Sequence, residues 1–338
     1  MNQPRRTPRD RIDGVLLLDK PRALSSNDAL MRARRLLNAA KAGHGGTLDP
    51  MATGLLPLMF GEATKFAHDS LDADKTYLAE LTLGVSTDTA DAEGREIARR
   101  EPRCDEAQLR DALAGFVGDI EQVPPMHSAL KRDGKPLYEY ARAGIELERA
   151  ARPVTIHAIE LLSFATPRAL VRVRCSKGTY IRTLASDVGE RLGCGAHLSA
   201  LRRERVGALS VADAITLDAL EALAPEQRVA RLAPVDALLA GLPSVQLDAA
   251  AARRFLQGQR LRAAVATAAA AAEAMEGVGS AADRAGDRAS GRAGDSAGHD
   301  AAGRVRVYAD GRLLGLAQQR ADGLLSPLRL IAAVPSAA

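Results

Sequence analysis

Gly43-His44-Gly45-Gly46-Thr47-Leu48-Asp49-Pro50-Met51-Ala52-Thr53-Gly54-Leu55-Leu56-Pro57 is the stretch on which the reading of this chain turns. Its first half is rich in glycine, which lets backbone or ligand approach closely. Its second half is apolar, and Asp49 stands at the junction, so its carboxylate is expected at the edge of a dry pocket. A plainer account competes: Asp before Pro and an apolar run makes a good helix N-cap with Pro at the first helical position.

Upstream, Gly14 to Leu18 reads as a buried strand running into a turn at Pro21. Ser25, with Asp28 three residues on, reads as a helix start. That helix places Leu30, Ala33, Leu36 and Leu37 inside and leaves Arg32, Arg34 and Arg35 largely outside. Downstream, Tyr77 to Gly84 has strand character, and Thr87 to Gly94 is an acidic turn. Helical spacing runs from Asp105 to Phe116 and again from Tyr180 to Leu192. Val154 to Phe164 and Ala169 to Cys175 read as strands. In the second, Val171, Val173 and Cys175 alternate with Arg172 and Arg174, giving one buried and one basic face. Val305 to Leu330 carries strand signals around Asp310-Gly311, a hairpin turn.

The formal net charge is +4 and the sequence pI is near 9.1. Residues 263–303 hold six acids and three arginines, a net −3, so the remainder carries +7. That excess suits a phosphate backbone. In the same segment 24 of 41 residues are Ala or Gly, too little apolar surface to offset its ordering entropy, so it reads as a disordered insertion. No run of eighteen apolar residues suggests a membrane span, and the Arg- and Pro-rich N-terminus lacks the apolar core of a secretory signal. Cys104, Cys175 and Cys194 form no CxxC pair, which fits a reducing cytoplasm. The dispersed histidines show no metal spacing, so no metal site is expected. GxxxxGK[ST], GxGxxG after a strand, HExxH and GxSxG are all absent.

Five blocks together resemble the TruB family of pseudouridine synthases. The quoted stretch resembles the family's signature loop, and Gly14 to Pro21 its opening strand motif. Asp74-Lys75-Thr76-Tyr77 resembles its tyrosine motif, and Cys175 to Leu184, containing Tyr180 and Arg182, its arginine motif. Gly193 to Leu198 with Leu201-Arg202-Arg203 resembles its leucine motif. The blocks run in family order over roughly residues 14–205.

The resemblance implies an α+β pseudouridine synthase fold: a mixed, largely antiparallel sheet flanked by helices, plus a small β-rich PUA-like C-terminal domain. It places a basic disordered arm at 1–12 and the catalytic domain at 13–243, with an RNA-gripping insertion at about 123–153. The PUA-like domain spans 244–334, interrupted by the Ala/Gly-rich segment 263–303. Lys131, Arg132, Lys135, Arg142 and Arg152, with Tyr138 and Tyr140, give the insertion its charge and stacking surface. The implied activity is isomerisation of uridine 55 in the T arm of tRNA, needing no cofactor, by a cytoplasmic monomer without a membrane partner. Asp49 is the implied catalytic carboxylate, as nucleophile or as base toward the sugar, and Arg182 pairs with it. A flipped uridine is expected to stack on Tyr77, with Tyr180 and Leu201 lining the pocket and His44 filling the space the base leaves. Lys20 and Pro21 are expected to shape the floor. A non-catalytic RNA-binding or tRNA-folding protein and a synthase for another RNA are the rivals. A sugar hydrolase is disfavoured, because no second acid has a recognisable spacing to Asp49.

Overall fold

The computed structural model describes residues 8–262 and 303–331. Most of the Ala/Gly-rich segment, 263–302, and residues 1–7 of the expected arm lie outside the described residues. The chain divides into two compact units, Met1–Leu238 and Leu239–Ala338.

The first unit is built on one sheet. Its strands are β1 (Gly14–Lys20), β2 (Ala42–His44), β3 (Thr53–Phe60), β4 (Lys75–Leu83), and, after the small hairpin of β5 (Val85–Thr87) and β6 (Glu96–Arg99), β7 (Gly118–Gln122). A second small hairpin, β8 (Lys131–Arg132) and β9 (Lys135–Pro136), precedes β10 (Arg152–Ala165), β11 (Arg168–Cys175), β12 (Ala196–Val206), β13 (Leu209–Ser210) and β14 (Ile215–Thr216). Among the described residues ten strands share the main sheet, in the order β14-β1-β3-β12-β4-β11-β10-β7, with β2 beside β3 and β13 beside β12. Only β1–β14 and β3–β12 are parallel; the other pairings are antiparallel. The expected mixed, largely antiparallel sheet is therefore present.

Patterning explains the layers. In β4 buried and half-buried residues alternate along the whole strand, the mark of one core-facing side. β3 is buried at every position after Thr53, as suits a central strand covered on both faces. It contains Pro57, which normally marks a sheet edge. Pro57 falls where β2 has ended; its carbonyl accepts from Gly45 N at 3.0 Å, and no ladder donor is needed on that side. The helices are α1 (Ser26–Leu36), α2 (Ala67–Asp72), α3 (Glu106–Ala114), α4 (Leu137–Arg142), α5 (Ile181–Arg191), α6 (Leu217–Ala222) and α7 (Pro225–Ala230). Ser25 caps α1 by accepting from Asp28 N at 3.1 Å, as its sequence signature predicts. Ala29, Leu30 and Ala33 of α1 and Leu184, Ala185 and Val188 of α5 bury against the sheet core. No helix among the described residues is long and apolar enough to cross a membrane.

Three readings from sequence need correcting. Arg9 and Asp10, placed in a solvated arm, are bonded to the body: Asp10 N donates to Asn38 O at 2.9 Å, and Arg9 Nη1 to Ala39 O at 3.3 Å. The basic face of β11 is partly neutralised, because Arg172 pairs with Glu204 at 2.9 Å and Glu160 at 3.2 Å. The unit boundary falls after Leu238 rather than after residue 243.

The second unit is β-rich. β15 (Ser244–Gln246), β16 (Leu261–Arg262), β17 (Arg304–Ala309), β18 (Arg312–Gln319) and β19 (Leu324–Leu330) form a sheet in the order β15-β17-β18-β19-β16. Helix α8 (Ala249–Leu256) contributes Ala252 and Phe255 to a core with Val245, Val305, Val307 and Leu325. Asp310 and Gly311 turn β17 into β18 with φ of 49° and 71°, the two positive values that a tight hairpin of this twist requires.

Candidate active site around Asp49 and Arg182

The loop from β2 to β3 is fixed from several sides. Ser26 Oγ, at the start of α1, donates to Leu48 O at 3.0 Å and accepts from Leu48 N at 2.8 Å, with both residues buried. Ala52 N donates to Asp49 O at 3.0 Å, closing a turn over Pro50 and Met51. No helix begins there, so the N-cap account of Asp49 fails: the apolar residues after it enter β3 instead. Gly54, at φ 99°, lies so close to β12 that a Cβ there meets the Arg203 carbonyl oxygen at 2.3 Å. At Gly45 a Cβ meets Ser70 Oγ at 2.0 Å. The glycines of this stretch are thus set by close approach of backbone and neighbours.

Arg182 sits in the first turn of α5 and is 4% exposed. The start of α5 is held by buried Gln122, whose Oε1 accepts from Tyr180 N at 2.9 Å and whose Nε2 donates to Tyr180 O at 3.3 Å. Arg182 Nε lies 3.0 Å from Asp49 Oδ2 and 3.5 Å from Asp91 Oδ2. Nη1 donates to Thr89 O at 3.2 Å and Nη2 to His127 O at 2.7 Å. Every nitrogen of the guanidinium is therefore engaged, and its orientation is over-determined. The Asp49 carboxylate is 37% exposed, and among the described residues its Oδ1 has no hydrogen-bond partner. One oxygen is anchored and the other is open for chemistry.

Asp91 went unnoticed in the sequence, where it reads as one acid of a polar turn. Its carboxylate is 6% exposed and accepts from Thr89 Oγ1 at 2.6 Å and Glu93 N at 3.0 Å through Oδ1. Two carboxylates thus share one buried arginine. The Thr-Asp-Thr-Ala-Asp run around it gives no periodic signal; only the tertiary fold turns one of its acids inward.

Tyr77 lies on β4 and is 9% exposed, opposite Val173 on one side and Arg203 on the other. Burial first, and the charge of Asp49 among lesser causes, push its phenol above the ordinary range; Arg203 opposes this by charge and by a side-chain hydrogen bond. Tyr180 is half-buried, its phenol pushed up by burial and felt by both Arg182 and Asp49. Leu201, 9% exposed, precedes Arg203 by two positions on β12 and faces the same way. His44 ends β2; burial, then the charge of Arg203, push its imidazole below the ordinary value, so it is neutral at neutral pH. Asp49 thus pairs with Arg182 and is felt by Tyr77 and Tyr180, while His44 feels the charge of Arg203 and Leu201 shares the Arg203 face of β12.

Beneath the loop are two buried cations. Lys20, fully buried, donates to Pro21 O at 2.9 Å, Leu24 O at 2.7 Å and Pro50 O at 3.5 Å. Its pKa is pushed down to about 8, chiefly by burial, with Asp49 opposing the shift. Arg203, 1% exposed, donates from Nε to Leu55 O at 2.8 Å and from Nη2 to Gly46 O at 3.2 Å. Burying a charge costs several kcal/mol even when hydrogen-bonded. In the sequence Arg203 stands in the block that resembles the leucine motif and within the charged run Arg202-Arg203-Glu204-Arg205, where nothing assigns it a role of its own.

The insertion stands apart in character. Asp133 and Gly134, both at positive φ, turn β8 into β9, and α4 follows directly. Lys131, Arg132, Lys135 and Arg142 are exposed. Lys135 Nζ lies 4.9 Å from the Tyr140 ring and Arg142 5.3 Å from the Tyr138 ring, so both tyrosines carry a cation on their faces. Arg152 belongs instead to the start of β10 in the main sheet.

Comparison with known proteins gives the same answer along the chain. The model for the TruB family pseudouridylate synthase N-terminal domain matches residues 34–181. A tRNA pseudouridylate synthase B C-terminal domain matches 182–240, and a pseudouridine synthase II TruB C-terminal model matches 291–331. A tRNA pseudouridine synthase B of Burkholderia mallei is 59% identical over 327 residues, covering 96% of this chain and 96% of the relative. That of Aromatoleum aromaticum is 56% identical, covering 96% and 95%. Among solved structures, a chain from a Cbf5–Nop10–Gar1 complex superposes with a TM-score of 0.66 at 24% identity, covering 94% of this chain and 84% of the other. A chain from an H/ACA RNP bound to a substrate RNA containing 2′-deoxyuridine gives 0.65 at 23% identity, covering 95% and 85%. At that identity the likeness speaks for the fold.

Proposed function

The chain belongs to the TruB family of pseudouridylate synthases, and we propose that it converts uridine 55 in the T loop of tRNA to pseudouridine with Asp49 as the catalytic carboxylate. The observation that carries the role of Asp49 is its pairing with Arg182: one oxygen is held by a fully engaged buried guanidinium and the other is open. The reaction breaks the bond from C1′ to N1 of uracil and forms one from C1′ to C5. The hydrogen of C5 leaves as a proton and N1 gains one, so no cofactor is needed. Asp49 serves as nucleophile at C1′ or as base at C2′; its open oxygen suits either. Tyr77, 9% exposed on β4, stacks on the extruded base. Tyr180 and Leu201 line the pocket, and neutral His44 fills the position the base vacates. The basic insertion and its tyrosines grip the stem-loop by phosphate and stacking contacts, and the β-rich second unit adds a further tRNA contact. The enzyme acts as a cytoplasmic monomer.

The test is release of tritium from a T-arm stem-loop labelled at uridine C5, comparing wild type with Asp49→Asn. Wild type releases label, and the variant falls by at least about a thousandfold, in line with loss of a covalent or general-base group. RNA affinity stays within about threefold, because an arginine-paired carboxylate contributes little to phosphate contacts. Tight binding by wild type without release overturns the synthase reading in favour of RNA binding alone.

A further inference from the structure

The Asp49 loop rests on two buried cations, Lys20 and Arg203, and among the described residues neither forms an ion pair with a carboxylate. Arg203 is the more deeply integrated. On β12 it faces Tyr77 of β4 in register and lies against Gly54 of β3 on the other side. Its guanidinium spans the loop, bonding Gly46 O before Asp49 and Leu55 O after it. Its neighbour in register is Tyr77, whose phenol feels its charge. Holding two carbonyls needs only a neutral donor. A full charge at this depth is unfavourable for folding, and among the described residues no carboxylate pairs with it. Its field reaches across the floor of the site, since His44, Lys20 and Lys75 all have their protonated forms disfavoured by Arg203 in addition to burial.

We infer that Arg203 is a positioning residue whose positive charge, set beneath Tyr77 and the Asp49 loop, stabilises the uracil as it leaves C1′. The inference rests on the isomerase reading above. When the bond from C1′ to N1 breaks, its electron pair departs with the base. The uracil then carries one negative charge, spread over N1 and its carbonyl oxygens. That charge disappears when C5 bonds to C1′, C5 loses its proton and N1 gains one. A neutral uridine draws little from a cation below it, whereas the departing anion draws much, and only that difference accelerates the step. Arg203 does this without touching the base. It acts across the Tyr77 ring beside it in register and through carbonyls already oriented toward it, so no water need reorganise when the charge appears.

The experiment uses leaving-group acidity. Single-turnover rates of C1′–N1 cleavage, the step common to both bases because fluorine cannot leave C5 as a cation, are measured by rapid quench at saturating stem-loop for uridine and for 5-fluorouridine at the target position, with wild type, Arg203→Gln and Arg203→Lys. Fluorine makes the uracil anion easier to form and lessens the need for outside stabilisation. Arg203→Gln keeps a donor near the position of Nε for Leu55 O but removes the charge; it is expected to lose about a hundredfold on uridine and about tenfold less than that on 5-fluorouridine. Arg203→Lys keeps the charge in a poorer geometry and is expected to lose the same factor on both bases. Equal losses for Gln on the two bases show a purely geometric role and overturn the assignment. If the Gln protein does not fold, Lys decides alone: a loss confined to uridine overturns it. Wild type that cleaves C1′–N1 in neither substrate removes the isomerase reading, and this inference with it. Wild type that cleaves both, with no base dependence in the variants, removes the inference alone.

Discussion

The loop between β2 and β3 and the insertion between β7 and β10 are both polar, glycine-containing excursions, yet they are held in opposite ways. The first is gripped by Ser26, Lys20 and Arg203 and hemmed in until Gly45, and Gly54 just beyond it in β3, have no room for a methyl group. The second is largely exposed and rests on a few bonds such as Leu137 N to Leu130 O at 2.7 Å and Arg132 Nη1 to Glu148 O at 2.9 Å. Gly134 and Gly144, at its turns, face open space: a Cβ added at either would have no neighbour within 4 Å. Chemistry needs a carboxylate fixed to a fraction of an ångström, whereas gripping a stem-loop needs charge and adaptable rings on a surface that can yield. The same residue types thus serve order in one place and accommodation in the other.

Glycine substitution gives the largest expected separation. Gly54→Ala places a Cβ against the Arg203 backbone and at a φ of 99° that L-residues avoid. It should lower unfolding free energy in urea by about 3 kcal/mol or more and abolish turnover. Gly134→Ala carries only the backbone strain of a φ of 78° and should cost about 1 kcal/mol, with turnover kept. Similar costs at the two sites mean that the loop is no more tightly held than the insertion.

Charge removal separates binding from chemistry. Replacing exposed Lys131 and Lys135 together by Ala is expected to weaken stem-loop affinity about tenfold and flatten the slope of log affinity against log salt by about 1.5, roughly two phosphate contacts. The single-turnover rate at saturating RNA should hold within about threefold. A fall in that rate with affinity and salt slope intact means that the insertion shapes the reaction rather than the encounter.

Strands β1, β4, β10 and β11, helices α1, α3 and α5, and the β17–β18 turn were legible because each is written locally, in a cap, a period of apolar residues or an Asp-Gly pair. The mixed, largely antiparallel sheet came only with the family resemblance, and its central strand β12 was not legible as a strand. Asp49 and Arg182 were legible through contiguous motifs. Asp91 and Arg203 were not, because their roles come from register. Arg203 turns inward only because β12 pairs Arg203 with Tyr77 while its neighbours Arg202 and Glu204 face outward to Asp19 and Arg172. A bulge between Arg203 and Arg205 then breaks the alternation that would have exposed the pattern. A run of four charged residues offers no sign of which one is core.

A buried charge that shapes a site and one that merely tolerates its place should respond differently to neutralisation, and α5 offers the second kind. Asp187 lies half-buried on the helix that carries Arg182, and burial first, then the charge of Glu190, push its pKa up to about 6 from 3.8. The folded state therefore binds more protons than the unfolded state between about pH 4 and pH 6, so stability is lost as pH rises through that window and the full penalty applies above it. Two pKa steps correspond to about 3 kcal/mol, and partial exposure reduces the expectation to about 1–2 kcal/mol. Asp187→Asn removes the charge at nearly constant shape. Its melting temperature should rise by about 2–6 °C at pH 7.5 and match wild type near pH 4, with the rate of tritium release unchanged at neutral pH. Neutralising Arg203 is expected to do the reverse, sacrificing rate whatever it does to stability. A stability gain for Asp187→Asn that is the same at both pH values shows that the carboxylate is not titrating in the fold. A gain at pH 7.5 accompanied by loss of turnover places Asp187 in the network that orients Arg182, and α5 then has no charge that the site can do without.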